Sequence, residues 1–197
     1  MANPSSSGTD RRELKRLVQQ FAELDPTRRL VGALASGRQR AAGGLWGASA
    51  GLLFAAIDAQ LEHPTLILCA DRDDADSLAD DIETFAGVAP AVLSEQLRTV
   101  DDEVEPQSHG ERLRLLHEFA AGNTRIVLAP IAALLQPVPR PRALRRNTLP
   151  LVTGATIDPG ELLQRATKAG LRKVPVVLGP GEISQRGDVI DVYPLGS

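Results

Sequence analysis

Cysteine is nearly missing. Cys69 is the only one in 197 residues, so no intramolecular disulfide can form. One thiol and three scattered histidines cannot furnish a structural zinc site either. Aromatic residues make up only 3% of the chain, and lysine is scarce: of 22 basic side chains, three are Lys and 19 are Arg. Long apolar runs are also absent. The longest, Leu45 to Ile57, covers 13 residues interrupted by Ser49, too short for a bilayer-spanning helix. The first nine residues carry no basic stretch followed by an apolar one, so no secretory signal is read, and a cytoplasmic protein is expected. What is present is ordinary for a globular chain, with 43% hydrophobic and 24% charged residues, which excludes wholesale disorder.

The net charge of −3 conceals a strong polarity. Asp71 to Glu105 holds twelve acids against two arginines, whereas Pro106 to Lys173 holds eleven basic residues against four acids. Such asymmetry suits a surface that docks charged partners.

Hydrophobic spacing orders the chain. Met1 to Gly8 reads as a disordered leader, and Asp10 with Glu13 as the start of a helix carrying Leu14, Leu17, Val18, Phe21 and Leu24. That helix is expected to stop before Asp25-Pro26. A Gly-rich turn at Gly43-Gly44 leads into an apolar helix over Ser49 to Leu61, and Thr65 to Ala70 reads as a strand buried on both faces. Asp71 to Phe85 has helical spacing, Ala91 to Leu93 is a short strand, Asp101 to Ser108 an acidic loop, Glu111 to Ala121 a helix and Arg125 to Ala129 a second apolar strand. Pro130 to Leu135 follows as a short helix. Alternating helices and strands predict an α/β fold with a parallel sheet. The Pro- and Arg-rich stretch 137–147 reads as a linker. Beyond it, strands at Thr148 to Val152 and Arg172 to Leu178, a helix at Asp158 to Ala169 and a hairpin around Gly187-Asp188 predict a small α+β domain. The expected division is 1–29 for leader and first helix, 30–136 for the α/β domain, 137–147 for the linker and 148–197 for the α+β domain.

Gly44 to Gly51 occupies the place of a phosphate-binding loop ahead of an apolar helix. Laid on that pattern, Gly44 is the first glycine, Gly47 lies within the loop and Ser49 replaces the last glycine. The lysine position is Ala50 and the hydroxyl position is Gly51, so the groups that neutralise phosphate and hold Mg²⁺ are both absent. The loop is predicted to be inactive. His63, His109 and His117 have no nucleophile paired with them, and Asp101-Asp102-Glu103 lacks a preceding apolar strand. No catalytic residue, metal site or cofactor is expected.

The carboxy-terminal run from Ala169 to Pro194 contains Gly181-Glu182-Ile183-Ser184-Gln185-Arg186-Gly187-Asp188-Val189-Ile190-Asp191-Val192-Tyr193-Pro194. It resembles the Gly-Glu-x-x-x-Arg-Gly-x-x-x-Asp-x-aromatic-Pro block shared by UvrB and the bacterial transcription-repair coupling factor. Upstream, Glu111-Arg112-Leu113, Ile126 to Pro130 and Ala133-Leu134-Leu135-Gln136-Pro137 are similar to the family's Arg-Leu … Val-x-x-Pro-x-x-Ala-Leu-x-Gln pattern. The decayed phosphate loop resembles the coupling factor rather than UvrB. Leu171, Ile183-Ser184 and Asp188 depart from the usual residues.

The resemblance implies a degenerate RecA-like α/β domain followed by an incomplete small α+β domain. It implies a non-catalytic module that recruits UvrA to a stalled RNA polymerase, contacted through Arg186 with Glu182 and Gly187. In the family the ATP-dependent DNA translocase motor and the parts that reach DNA and RNA polymerase lie downstream of the matched region. The alternative is a nucleotide- or nucleic-acid-binding domain that uses the arginines between Arg140 and Arg146. No aromatic residue interleaves them for base stacking, and the segment reads as a linker with a solvated basic face.

Overall fold

The computed structural model describes residues 6–61, 63–98 and 104–195. The chain is mixed helix and strand and gathers into two compact units, residues 1–93 with 124–131 and residues 94–123 with 132–197.

The first unit contains α1 (Ser6–Ala22), α2 (Asp25–Ala35), α3 (Ser49–Leu61), β1 (Thr65–Cys69), α4 (Arg72–Ala86), β2 (Ala91–Val92) and β3 (Ile126–Pro130). Its three strands form a parallel sheet in the order β1-β3-β2, with Thr65 opposite Ile126 and Ala91 opposite Val127. Parallel strands need covered faces. Ile67, Cys69, Ile126 and Leu128 accordingly pack with Ala75 and Ile82 of α4, joined at the margin by Phe54 of α3. The strand expected to be buried on both faces is covered on one only, because Leu66 and Leu68 on the other face of β1 are exposed. Because α3 is apolar almost all round, it needs cover on several sides. α1 supplies it through Val18 and Phe21, α2 through Val31, and α4 through Phe85.

Local chemistry sets the helix ends. Asp71 caps α4 by accepting the Asp74 N–H at 2.9 Å, and Gly87 closes it in a left-handed conformation with φ of 72°.

The second unit contains α5 (Pro106–Ala121), the single turn α6 (Ile131–Leu134), whose first residue belongs to the other unit, α7 (Pro141–Asn147) and α8 (Pro159–Lys168). These are followed by β4 (Arg172–Lys173), β5 (Glu182–Arg186) and β6 (Val189–Tyr193). β5 and β6 form an antiparallel hairpin with Arg186 opposite Val189, and β4 adds to β5 in parallel. Leu163 and Ala166 of α8 pack on Ile183, with Leu171, Ile190 and Val192 at the margin.

Several expectations need correction. Ser6 to Gly8 belongs to α1, so the leader read over 1–8 is already helical from Ser6. The chain does break before Asp25, but Pro26 opens α2 instead of ending structure: in a first turn its missing N–H costs nothing. α5 begins at Pro106, not Glu111, because the Glu105 carboxylate caps it by accepting the Ser108 N–H at 2.7 Å. Asp101, Asp102 and Glu103 lie outside the described residues. α7 forms within the stretch read as linker, again with proline in its first turn. No strand forms over Thr148 to Val152: Pro150 removes a donor, and Leu151 and Val152 stay exposed. The strand expected to reach Leu178 is regular only over Arg172–Lys173. Val174 makes one further bond to Ile183, and Pro175 then ends the ladder.

Candidate functional site

The loop read from the sequence as a degenerate phosphate loop has glycine bends but none of a phosphate loop's charged groups. Gly44 and Gly47 have φ of 76° and 53°, values that side chains other than glycine's rarely adopt. Ser49 opens α3, and its Oγ accepts the Trp46 N–H at 2.7 Å, so that hydroxyl serves the loop itself. Ala50 follows with no functional group. Gly51, at the hydroxyl position, is buried where α3 crosses α4. A Cβ there would stand 2.4 Å from Asp81 Cβ and 2.9 Å from the Asp81 carbonyl carbon. Ordinary carbon contacts begin near 3.5 Å. The space a P-loop side chain would occupy is filled by the neighbouring helix. Beside the loop runs an open groove of about 510 Å³, lined by Phe21, Leu30, Leu45 and Leu53 and edged by Arg29 and Arg40.

A buried polar network that periodicity does not reveal lies in the second unit. Arg112 of α5 is 2% exposed. Its guanidinium donates to the carbonyls of Ser94 at 2.9 Å, Ala133 at 2.8 Å and Gln136 at 3.3 Å. No carboxylate balances the charge among these contacts, and Nε has no partner. Burial therefore pushes the guanidinium pKa down. Next to it, Gln136 accepts the Gln96 N–H at 2.6 Å, and the Gln96 amide meets His109 Nδ1 at 3.2 Å. Burial first, then the Arg112 charge, push the His109 pKa down. Arg112, Ala133 and Gln136 are residues of the upstream motif, and here they converge on one guanidinium. Where α6 ends, the Ala133 carbonyl accepts the Gln136 N–H at 3.3 Å, and Arg112 adds a shorter donor there and another at Gln136.

In the hairpin unit, Glu182 opens β5 and is buried. Its Oε2 accepts the N–H groups of Leu178 at 2.7 Å and Gly179 at 3.0 Å, while Oε1 accepts Arg172 at 2.5 Å. The Leu178 N–H, then that of Gly179, hold the carboxyl pKa below the usual range against the opposing effect of burial, with Arg172 adding to them. Ser184 is also buried and donates to the Pro175 carbonyl at 2.9 Å. Both side chains fasten the 174–179 segment onto β5.

Arg186 points elsewhere. Residues four apart on a strand share a face but stand about 13 Å apart, too far for Glu182 to pair with it. Its partner is Asp191 on β6, at 2.7 Å across the hairpin, and its side chain remains 64% exposed. Gly187 makes the two-residue turn with φ of 61°. Arg186, Asp191, Val176 and Tyr193 contribute to the lining of a shallow concavity of about 460 Å³. Of the three predicted contact residues, Arg186 and Gly187 meet at the hairpin tip, whereas Glu182 is engaged inside the fold. No group of three or more His, Cys, Asp or Glu suited to a metal ion occurs among the described residues. Cys69 sits in the sheet core, where burial first, then Asp74 and Asp71, raise its pKa.

Comparison with known proteins then gives one consistent result. The chain is 32% identical over 187 residues to the transcription-repair-coupling factor of Myxococcus xanthus. It is 25% identical over 185 residues to that of Bacillus subtilis and 27% over 164 residues to that of Escherichia coli. The chain is a relative of the transcription-repair-coupling factors. These matches cover 85%, 91% and 82% of the chain, but only 15%, 16% and 14% of the respective relatives. It thus spans less than one-sixth or so of the length of the coupling factors it matches. No family model matches. At 91% of the chain, the Bacillus subtilis match reaches into both compact units and includes the Gly44 to Gly51 loop. No helix among the described residues is long and apolar enough to cross a membrane.

Proposed function

We propose that this chain serves transcription-coupled repair as a non-catalytic module that recruits UvrA, without binding nucleotide. The observation that carries the proposal is the hairpin tip. Arg186 is exposed, is oriented by Asp191 without being buried by it, and stands beside a shallow concavity walled by Val176 and Tyr193. An oriented guanidinium next to apolar and aromatic surface is the usual composition of an interface anchor. Glu182 and Ser184 support this tip from inside, because they tie the neighbouring segment to β5. The decayed loop supports the non-catalytic part: the residues that would hold the phosphates are missing, and Gly51 is committed to helix packing. Any contact with RNA polymerase, and any ATP-driven translocation along DNA, would belong to parts of the family protein outside the matched region.

Titration of UvrA against the chain tests this directly. Arg186→Ala should weaken the complex by more than about 1 kcal/mol, the level that separates a real contributor from a near-neutral interface residue. Arg186→Lys should restore only part, since an ammonium cannot reproduce a forked contact. Circular dichroism on the same samples separates a lost contact from a loosened hairpin. Binding of folded Arg186→Ala equal to wild type would remove the hairpin from the interface, and saturable ATP binding would sink the non-catalytic reading.

A further inference from the structure

From Phe119 to Ile157 the chain contains no acidic residue, yet it contains five arginines. Arg125 is occupied by Asp58. The other four, Arg140, Arg142, Arg145 and Arg146, are exposed. Among the described residues none of these four has an ion-pair or side-chain hydrogen-bond partner. What the sequence presents as a loose basic linker is in fact ordered: Pro141–Asn147 is helix α7, packed along α5. Helical spacing puts Arg142, Arg145 and Arg146 at i, i+3 and i+4, on one face. Ala143 and Leu144 are half-buried. Arg140 holds the position just before the helix, where a cation opposes the helix dipole. Like charges at these spacings weaken a helix; the dipole at the helix end offsets part of this for Arg145 and Arg146, and among the described residues no carboxylate pairs with any of the four.

We infer that this arginine face of α7 binds the phosphate backbone of duplex DNA. Arg is the residue whose fork matches phosphate oxygens, and three such forks on one helical face can meet successive backbone phosphates. No aromatic residue lies between Phe119 and Tyr193, so neither α7 nor its flanking segments carry a platform for unstacked bases and the contact is to backbone, independent of sequence. The arginine face of α7 carries no apolar anchor of the kind a peptide partner would need. An acidic protein segment is therefore the less favoured ligand. The inference does not depend on the hairpin or on UvrA.

The test is fluorescence anisotropy of the whole chain with an end-labelled 20-base-pair duplex at 50 and 150 mM NaCl. Three phosphate contacts at a slope of about −0.9 each imply an affinity loss of roughly 20-fold between those salt concentrations. The triple variant R142Q/R145Q/R146Q should bind at least tenfold more weakly at 50 mM and lose most of the salt dependence. R142K/R145K/R146K should keep the salt dependence. The matched control is R12Q/K15Q/R16Q, which removes three exposed cations of the same spacing from α1. It should change binding less than threefold. Equal losses in the α1 and α7 variants, no binding by wild type at 50 mM, or tighter binding of a poly-glutamate peptide than of DNA would each overturn the inference. A folded R142Q/R145Q/R146Q that binds as wild type does would do the same.

Discussion

The close approach of α3 and α4 at Gly51 can be measured by adding one methyl group. In Gly51→Ala the new Cβ would meet Asp81 Cβ at 2.4 Å, the Asp81 carbonyl carbon at 2.9 Å and the Ile82 nitrogen at 3.1 Å. Two of these three atoms are backbone, so no rotamer change relieves the clash and the helices themselves must separate. Overpacking of this kind costs about 1–3 kcal/mol, and a backbone obstacle places it at the upper end. Alanine returns about 1 kcal/mol of helix propensity, leaving a net loss of about 2 kcal/mol. For a unit of about 100 residues that lowers the melting temperature by roughly 8–16 °C. Gly32→Ala is the matched control. Gly32 lies mid-helix in α2 with nothing within 4 Å of the added atom, so only propensity acts and the melting temperature should rise by roughly 2–8 °C. Calorimetry or far-ultraviolet circular dichroism is the appropriate assay, because the only tryptophan, Trp46, is 84% exposed and reports little on the core. Gly51→Ala melting at or above the wild-type temperature would refute the view that this crossing is rigid and fully occupied.

Three further outcomes follow from the polar contacts. The Glu182 carboxyl has a depressed pKa, so its stabilising effect is complete above the ordinary carboxylate pKa of about 4.3 and fades as pH falls through the lower folded value. Glu182→Gln should melt below wild type at neutral pH, with the gap closing in acid; a gap independent of pH would contradict this role. Arg112→Ala should cost about 2 kcal/mol or more in urea unfolding, since it removes a buried guanidinium that donates to three main-chain carbonyls, and Arg112→Lys should recover little because one ammonium cannot span them. Wild-type stability in Arg112→Lys would show that fewer of these bonds matter. The lowered His109 pKa means that the ring stays neutral at pH 7, and a nuclear magnetic resonance titration should place its midpoint below the free value of about 6.5.

Legibility in the sequence followed the kind of interaction involved. α4 and the β5–β6 hairpin are readable because each pairs a hydrophobic period with a local stop signal, such as Asp71 before α4 or Gly187 at the turn, whereas α3 and β1 are readable as apolar runs, which show that the element exists but not that only one face of β1 is covered. α2 and α7 are obscured by proline: Pro26 and Pro141 look like breakers, but in a first turn they are starters. The strand expected at 148–152 has suitable side chains but no neighbour to pair with, and strand formation depends on pairing more than on propensity. The Gly51 contact depends on an interhelical distance that no spacing encodes. Arg112 is hidden for another reason. Its acceptors are main-chain carbonyls, which every residue has, so only the recurrence of Arg112, Ala133 and Gln136 within one motif could have pointed to it. At the hairpin, Arg186 and its turn are visible in the motif, while its pairing with Asp191 rather than Glu182 requires the register.

On the function proposed above, the hairpin motif mixes two kinds of selection in one short string of letters. Glu182 answers to the chain itself, through Leu178, Gly179 and Arg172, while Arg186, held by Asp191 and exposed, would answer to UvrA. A descendant that lost its partner would be free to change the arginine long before it could change the glutamate. Sequences with Glu at position 182 but another residue at 186 should thus mark lineages in which the fold has outlived the interaction, which makes the pair a diagnostic for recruitment that whole-motif matching would miss.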